Sequence, residues 1–246
     1  MKIKNKEIGY GEPTFVIAEA GINGGDNYEI AKQLVDIASD AGADAVKFQT
    51  FKPTELDFKN LTYDQFTQLK HYCDSKDVIF LSTPHSYSAI HFLNDLVPAY
   101  KIASPHITKK HFVRRIVHKQ KPIIASTGSL NNKNKRASVY EVNTFLRRMN
   151  EKTELALLYC ISKYPCYNFD VQDFIDFQDR YGIYPVGISC HSPDINYSIE
   201  AVKAGACIVE KHFTLHKDFD CPDKEVSITP EQLTTLIKEI RRIDKQ

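Results

Sequence analysis

Short apolar runs rich in β-branched residues alternate along this chain with longer stretches whose apolar positions recur every three to four residues. The first kind reads as buried strands and the second as amphipathic helices. Strand-like runs fall at 14–19, 44–49, 78–82, 99–104, 122–126, 155–160, 185–189 and 206–212. Helix-like runs lie between them, at 27–40, 63–75, 87–93, 109–118, 135–149, 171–180, 195–204 and 230–243. Eight strand–helix units in succession predict an α/β protein whose parallel strands close into a (β/α)8 TIM barrel. A doubly wound open sheet is the rival arrangement, and the polar residues that end nearly every strand favour the barrel. Residues 2–12 precede the first unit. They read as a short N-terminal hairpin, with 3–4 against 8–10, closing the end of the barrel opposite the site.

The length of 246 residues suits one such barrel, which takes about 250, so a single domain over 1–246 is expected. Apolar residues make up 42% and charged residues 26%, an ordinary globular balance. With 32 basic and 31 acidic residues the net charge is +1, which argues against a nucleic-acid footprint or a membrane-surface patch. The start, MKIKNKEIGYGEP, has no apolar core of a signal peptide, and no run approaches a membrane span. None of the six cysteines sits in a CxxC pair, so reduced thiols and a cytoplasmic location are expected. The basic stretch 131–136 reads as a solvated loop.

Active sites of βα barrels lie at the C-terminal ends of the strands. The eight strand-like runs end, in order, in Glu19; Lys47 and Gln49; Ser82 and Thr83; Lys101 and Ser104; Ser126, Thr127 and Gly128; Cys160 and Ser162; Ser189 and His191; Glu210 and His212. Residues two apart share a strand face, which pairs Lys47 with Gln49, Ser189 with His191 and Glu210 with His212. Any one of these has an ordinary reading, an ion-paired lysine or a hydrogen-bonded core histidine. Two lysines, two glutamates and two histidines on one rim point to a site. Two lysines among hydroxyls suit a small polyanion such as a phosphate ester with a carboxylate. Two histidines from adjacent strands suit a divalent transition metal with open positions for water or substrate. Two glutamates suit proton transfer.

The stretches FVIAEAGIN, AGADAVKFQTF, FLSTP, PAYKIAS, ASTG, LLYCISKYP, GISCHS, GACIVEKHFTL and CPDKEVSITPEQL occur in order with barrel spacing. Together they resemble the sialic acid synthase (N-acetylneuraminate synthase) family, over nearly the whole chain. VKFQTF and EKHFTL are the most specific pieces. The resemblance implies condensation of phosphoenolpyruvate with an aldehyde sugar such as N-acetylmannosamine, to give a 2-keto sugar acid for surface carbohydrate. It implies a divalent metal, manganese first with magnesium or cobalt as alternatives, on His191 and His212. It puts phosphoenolpyruvate on Lys47, Thr83, Lys101, Ser104, Ser126 and Ser189. Glu19 and Glu210 take the acid/base roles, and Gln49, Tyr164 and Asp223 lie near the acceptor sugar. In the implied reaction C3 of phosphoenolpyruvate attacks the aldehyde, water adds at C2, and phosphate leaves with C–O cleavage.

The chain departs from the family pattern mainly on the sugar side. Gly-Ile-Asn-His-Asn-Gly-Asp is shortened to GINGGD, and the insert after the second strand is reduced to FKPTELDFKN. His106 stands where an acidic residue is expected after KIAS, Cys190 replaces an aspartate in SCHS, and Lys224 replaces a histidine in CPDK. The C-terminal antifreeze-like domain of the family is expected to be lacking. These departures leave three alternatives: a different acceptor, a homo-oligomer or separate capping protein that completes the site, or lost activity. Two other readings compete: a metal-dependent barrel aldolase on another phosphorylated substrate, and an inactive barrel that binds phosphoenolpyruvate or a partner protein. An inactive barrel would have broken acid/base residues, and the presence of both Glu19 and Glu210 counts against it.

Overall fold

The computed structural model describes residues 1–52, 60–128 and 137–246. A two-stranded antiparallel ribbon, β1 (Lys2–Ile3) and β2 (Lys6–Glu7), opens the chain. Eight parallel strands follow: β3 (Phe15–Gly21), β4 (Ala45–Thr50), β5 (Ile79–Pro84), β6 (Tyr100–Ile102), β7 (Ile123–Ser126), β8 (Leu155–Cys160), β9 (Val186–Cys190) and β10 (Ile208–His212). Their hydrogen-bonded order is β5-β4-β3-β10-β9-β8-β7-β6. The two end strands, β5 and β6, pack against each other, so the sheet curls into a nearly closed barrel. The eight-unit barrel expected from the periodicity is the one observed, and the open sheet is excluded.

Among the described residues eight α-helices separate and follow the strands: α1 (Tyr28–Asp40), α2 (Tyr63–Ser75), α3 (Tyr87–Phe92), α4 (Lys110–Val117), α5 (Val139–Leu146), α6 (Val171–Tyr181), α7 (Asn196–Lys203) and α8 (Pro230–Ile243). Their starts are set by side-chain caps. Thr62 with Gln65, Ser138 with Glu141 and Thr229 with Gln232 form capping boxes, and Asn27 accepts from the Glu29 and Ile30 amides. Such caps satisfy backbone N–H groups that the first helical turn leaves unpaired. The Ser138 box also explains why the fifth helix begins at Val139. The expected start at residue 135, the loop 131–136 and most of the FKPTELDFKN stretch lie outside the described residues.

Two other expectations shift. The hairpin pairs Lys2 with Glu7 and Ile3 with Lys6, so its second strand is 6–7 and not 8–10. Lys4 turns the chain at a φ of 52°, and Ile8 is left free to drop into the barrel floor. The fourth barrel strand stops at Ile102, because Ser104–His106, with Pro105 inside it, winds into a 3-10 turn.

Strand alternation divides the core in two. Inward positions near the N-terminal ends are apolar: Phe15, Ile17, Ala45, Ile79, Leu81, Ala99, Ile124, Ala156, Leu158 and Ile208 form one cluster, plugged from below by Ile3 and Ile8 of the ribbon. Outward positions such as Val16, Val46, Phe80, Ile102, Tyr159 and Val209 join the helices in the larger cluster. Two residues further along the same inward faces, the apolar floor gives way to Glu19, Lys47, Thr83, Lys101, Ser126, Cys160 and Glu210. The ribbon therefore seals the end opposite the polar rim.

Candidate active site

A cavity of about 260 Å³ opens at the C-terminal ends of the strands. Twelve of the thirteen residues singled out from the sequence line it: Glu19, Lys47, Gln49, Thr83, Lys101, Ser104, Ser126, Tyr164, Ser189, His191, Glu210 and His212. The thirteenth, Asp223, stands beside them. Its Oδ2 is 3.4 Å from His212 Nδ1. It also lies 2.7 Å from where a Cβ on Gly21 would sit. Gly21 has φ +58°, so a side chain there would be strained and would drive into the Asp223 carboxylate.

Strand register brings the charges together. Glu19 lies between His212 of β10 and Lys47 of β4. Lys47 Nζ contacts Glu19 Oε2 at 2.7 Å and Glu210 Oε2 at 3.6 Å, and donates to Thr83 Oγ1 at 3.0 Å. Lys101 Nζ lies 3.3 Å from Glu210 Oε1 and donates to Ser126 Oγ at 2.8 Å. Ser189 Oγ donates to the same Glu210 oxygen at 3.0 Å, and Gln49 Nε2 reaches Glu19 Oε1 at 3.5 Å. All four charged side chains are buried. Burying ions is tolerated when they are paired, as these are; Glu19 Oε2 and Glu210 Oε2 have the Lys47 ammonium beside them but no hydrogen bond of their own.

Burial raises the Glu19 carboxyl above its usual range, against the pull of Lys47, with Glu210 adding to the rise. Burial also works against Glu210, but Lys101 and Lys47 outweigh it and hold that carboxyl at about 2. Lys47 is raised because Glu19 and Glu210 overcome its burial. Lys101 is lowered, by burial first, with Lys47 adding to the Glu210-opposed balance. Cys160 also lines the cavity, and burial pushes its thiol up to about 11, so it is a neutral wall.

The two histidines sit side by side, ring centroids 5.6 Å apart. His191 Nδ1 pairs with the Ile161 carbonyl at 2.9 Å, which leaves the Nε2 lone pair to face the cavity. That Nε2 receives the Tyr164 hydroxyl at 2.8 Å. His212 Nδ1 and Asp223 Oδ2 are both buried without a hydrogen bond. A divalent cation fits this donor set: two imidazoles, a carboxylate oxygen short of partners, and open positions for oxygen ligands. An ion drawing on His191 Nε2 competes with the Tyr164 hydroxyl. Among the described residues no three donor side chains are already gathered as a cage.

Several residues that matter here were outside the sequence-based set. Asn23 places Asp223: its Oδ1 accepts the Asp223 N–H at 3.1 Å, while its amide donates to the Phe213 carbonyl and to Ser227 Oγ. Ser162 and Ser104 crowd Gly128, whose N–H donates to Ser104 Oγ at 2.9 Å; a Cβ on Gly128 would lie 2.0 Å from Ser162 Oγ. His85 lines the cavity beyond Thr83. Its only sequence signal was a polar residue just past a strand end. His106 is buried against Phe112. Cys190 Sγ contacts Ser192 Oγ at 3.2 Å, and the buried Lys211 beside it donates to the Ser192 carbonyl. That bond ties β10 to the loop carrying His191. Lys224 is exposed. All six cysteines are free. No described helix is long and apolar enough to cross a membrane.

Residues 56–246 match the NeuB family. The chain belongs to that family. It is 33% identical to the N,N'-diacetyllegionaminic acid synthase of Campylobacter jejuni, covering 94% of this chain and 77% of that protein. Against human N-acetylneuraminate-9-phosphate synthase the identity is 26%, over 97% of this chain and 72% of the relative. In structure it is similar to an N-acetylneuraminic acid (sialic acid) synthetase from Leptospira borgpetersenii solved with citrate, with a TM-score of 0.91 and 30% identity, covering 100% of this chain and 88% of that one. As a NeuB-family barrel it spans about three quarters of the two sequence relatives.

Proposed function

We propose that this chain joins phosphoenolpyruvate to a sugar aldehyde, giving a 2-keto-3-deoxy sugar acid of the nonulosonate kind for surface carbohydrate. The observation that carries the reading is the floor of the cavity. Two buried lysines stand there among Thr83, Ser126 and Ser189 hydroxyls, with two glutamates between them. The chain is an enzyme of the phosphoenolpyruvate-condensing transferase class.

Lys47 and Lys101 match the phosphate and carboxylate of phosphoenolpyruvate as point charges, and the Ser104, Ser126, Ser189 and Thr83 hydroxyls complete its hydrogen bonding. Incoming anionic groups take over lysine charge now shared with Glu19 and Glu210. A divalent cation, manganese by preference, would be held by His191 and His212 beside Asp223, and when bound it supplies polarisation of the acceptor carbonyl. Gln49, Tyr164 and Asp223 orient the sugar so that its aldehyde carbon faces C3 of phosphoenolpyruvate. As the C3–carbon bond forms, the carbonyl π pair moves to the aldehyde oxygen, which is protonated to the new hydroxyl, and C2 becomes cationic. Glu19 and Glu210 are the candidates to take the proton of the water that adds there, Glu19 the stronger base of the two because burial raises its carboxyl while Lys101 and Lys47 hold Glu210 low. The C2–O bond to phosphate then breaks and phosphate leaves. Holding both substrates in one cavity supplies the orientation that such a step needs.

The test is phosphate release from phosphoenolpyruvate with manganese and a panel of aldoses. Release that depends on the sugar supports the reading. A barrel aldolase on another substrate releases none, and an inactive barrel binds phosphoenolpyruvate without turnover. We propose further that N-acetylmannosamine is a poor acceptor for the chain alone, since His106 here packs on Phe112 where the resemblance expects an acidic group. Activity should appear with another acceptor, or on adding a separate capping protein or allowing a homo-oligomer to form. High kcat/KM on N-acetylmannosamine by the chain alone would refute this.

A further inference from the structure

One wall of the cavity carries a group that the reading above does not use. His85 follows directly on β5, and its backbone N–H donates to the Thr50 carbonyl at 2.9 Å. Its ring lies flat on Phe51, with centroids 4.3 Å apart and planes 8° apart. It meets His106 edge-on at 5.2 Å and 62°. His106 packs in turn on Phe112 at 4.3 Å. Stacking thus fixes the His85 ring. Its Nε2 is shut off from solvent and has no hydrogen-bond partner among the described residues, and the same holds for His106 Nδ1. Native structures seldom leave a buried polar atom unpaired unless a ligand or a water completes it. Burial depresses the His85 ring to about 3 and the His106 ring to about 4, with nearby lysines adding to both shifts. Both rings are therefore neutral near pH 7. A neutral imidazole offers one N–H and one lone pair, which suits a hydroxyl or an amide better than an anion.

Position separates His85 from the phosphoenolpyruvate floor. It stands two residues beyond Thr83, whose hydroxyl already serves Lys47, and so lies closer to the mouth. We infer that His85 is a specificity-determining residue for the acceptor, a ring nitrogen hydrogen-bonding a hydroxyl or acylamino group of the sugar while His106 sets the tilt of its ring. The inference rests on the reading of this cavity as a phosphoenolpyruvate and sugar site.

His85→Phe keeps the stacked ring and removes both nitrogens, and His85→Gln restores a donor and an acceptor. Phosphoenolpyruvate affinity is measured by calorimetry for wild type and both variants. Binding of N-acetylmannosamine, D-mannose and D-arabinose is measured by saturation-transfer NMR. The expected result is phosphoenolpyruvate affinity within twofold in all three proteins. At least one sugar should bind about tenfold more weakly to His85→Phe, the loss expected when a buried hydrogen-bonding group is left unpaired, with partial recovery in His85→Gln. A sugar panel that is identical in wild type and His85→Phe, silence in both included, overturns the inference. So does a parallel fall in phosphoenolpyruvate affinity, which marks a structural role. Wild type that binds no phosphoenolpyruvate at millimolar concentration overturns the underlying reading, and the inference with it.

Discussion

Replacing Lys101 with methionine separates binding from folding. Lys101 is buried, with Glu210 Oε1 at 3.3 Å and Ser126 Oγ at 2.8 Å. If it held the fold together, losing it would cost the 3–5 kcal/mol typical of breaking a buried pair. Burial, the largest influence on its pKa, outweighs Glu210 and lowers it; Glu210 in turn loses in Lys101 the first cause of its own low pKa but keeps Lys47 as the second. Methionine keeps the length and bulk of the side chain, and Glu210 retains Lys47 and Ser189 as partners. The expected loss of stability is therefore about 1 kcal/mol or less, a shift of about 2–4 °C in Tm for a protein of this size. A charge-assisted hydrogen bond to phosphoenolpyruvate is worth about 1.5–3 kcal/mol, so affinity should fall between about tenfold and a hundredfold. Calorimetric titration and a thermal melt on the same preparation measure both. A Tm drop of 10 °C or more with an equally small change in affinity would show that Lys101 serves the fold.

Three further substitutions probe other parts of the account. Asp44 accepts from the Val16 amide at 2.8 Å and pairs with Arg241 at 2.6 Å and Lys6 at 2.9 Å on the ribbon side of the barrel; Asp44→Ala should cost about 2–3 kcal/mol by denaturant titration and leave phosphoenolpyruvate affinity unchanged. His191→Ala and His212→Ala should each weaken manganese binding at least tenfold by electron paramagnetic resonance, and unchanged affinity in either would count against a shared ion. His106 is buried neutral with its pKa depressed to about 4, so the unfolded chain binds its proton first and stability falls as pH drops below about 6.5. Between pH 7 and pH 5 that loss is about 2 kcal/mol, and in His106→Leu the pH dependence of the denaturation midpoint should flatten by that amount. An unaltered pH profile would mean that His106 is accessible to protons in the fold.

The barrel was legible because two periodicities carried it. Runs of buried strand residues and capped amphipathic helices alternate eight times, and most observed boundaries fall within a residue or two of the expected ones. The rim was legible because charged residues such as Lys47 and Glu210 sit in otherwise apolar strands, where burial makes them costly without a use. The partners of those residues were not legible. Lys47 bridges Glu19 and Glu210 only because β3 lies between β4 and β10, which closure of the sheet decides. Asp223 sits in a loop after β10 with no strand-end signal, and it was reached through the family resemblance alone. Asn23, which fixes that loop, lay within the resembling stretch FVIAEAGIN, with nothing local to mark its reach to Asp223. His85 follows directly on the stretch FLSTP and was not singled out; its significance lies in stacks with Phe51 and His106 that need the tertiary fold.

The central claim is that the lysine and hydroxyl floor holds phosphoenolpyruvate beside a metal on the two histidines. A crystal of this chain soaked with manganese and phosphoenolpyruvate tests it most directly. The account predicts density for the phosphate and carboxylate against Lys47, Lys101, Ser126 and Ser189, and an ion reached by both His191 and His212. Phosphoenolpyruvate bound elsewhere, or an ion held away from these two rings, would contradict it.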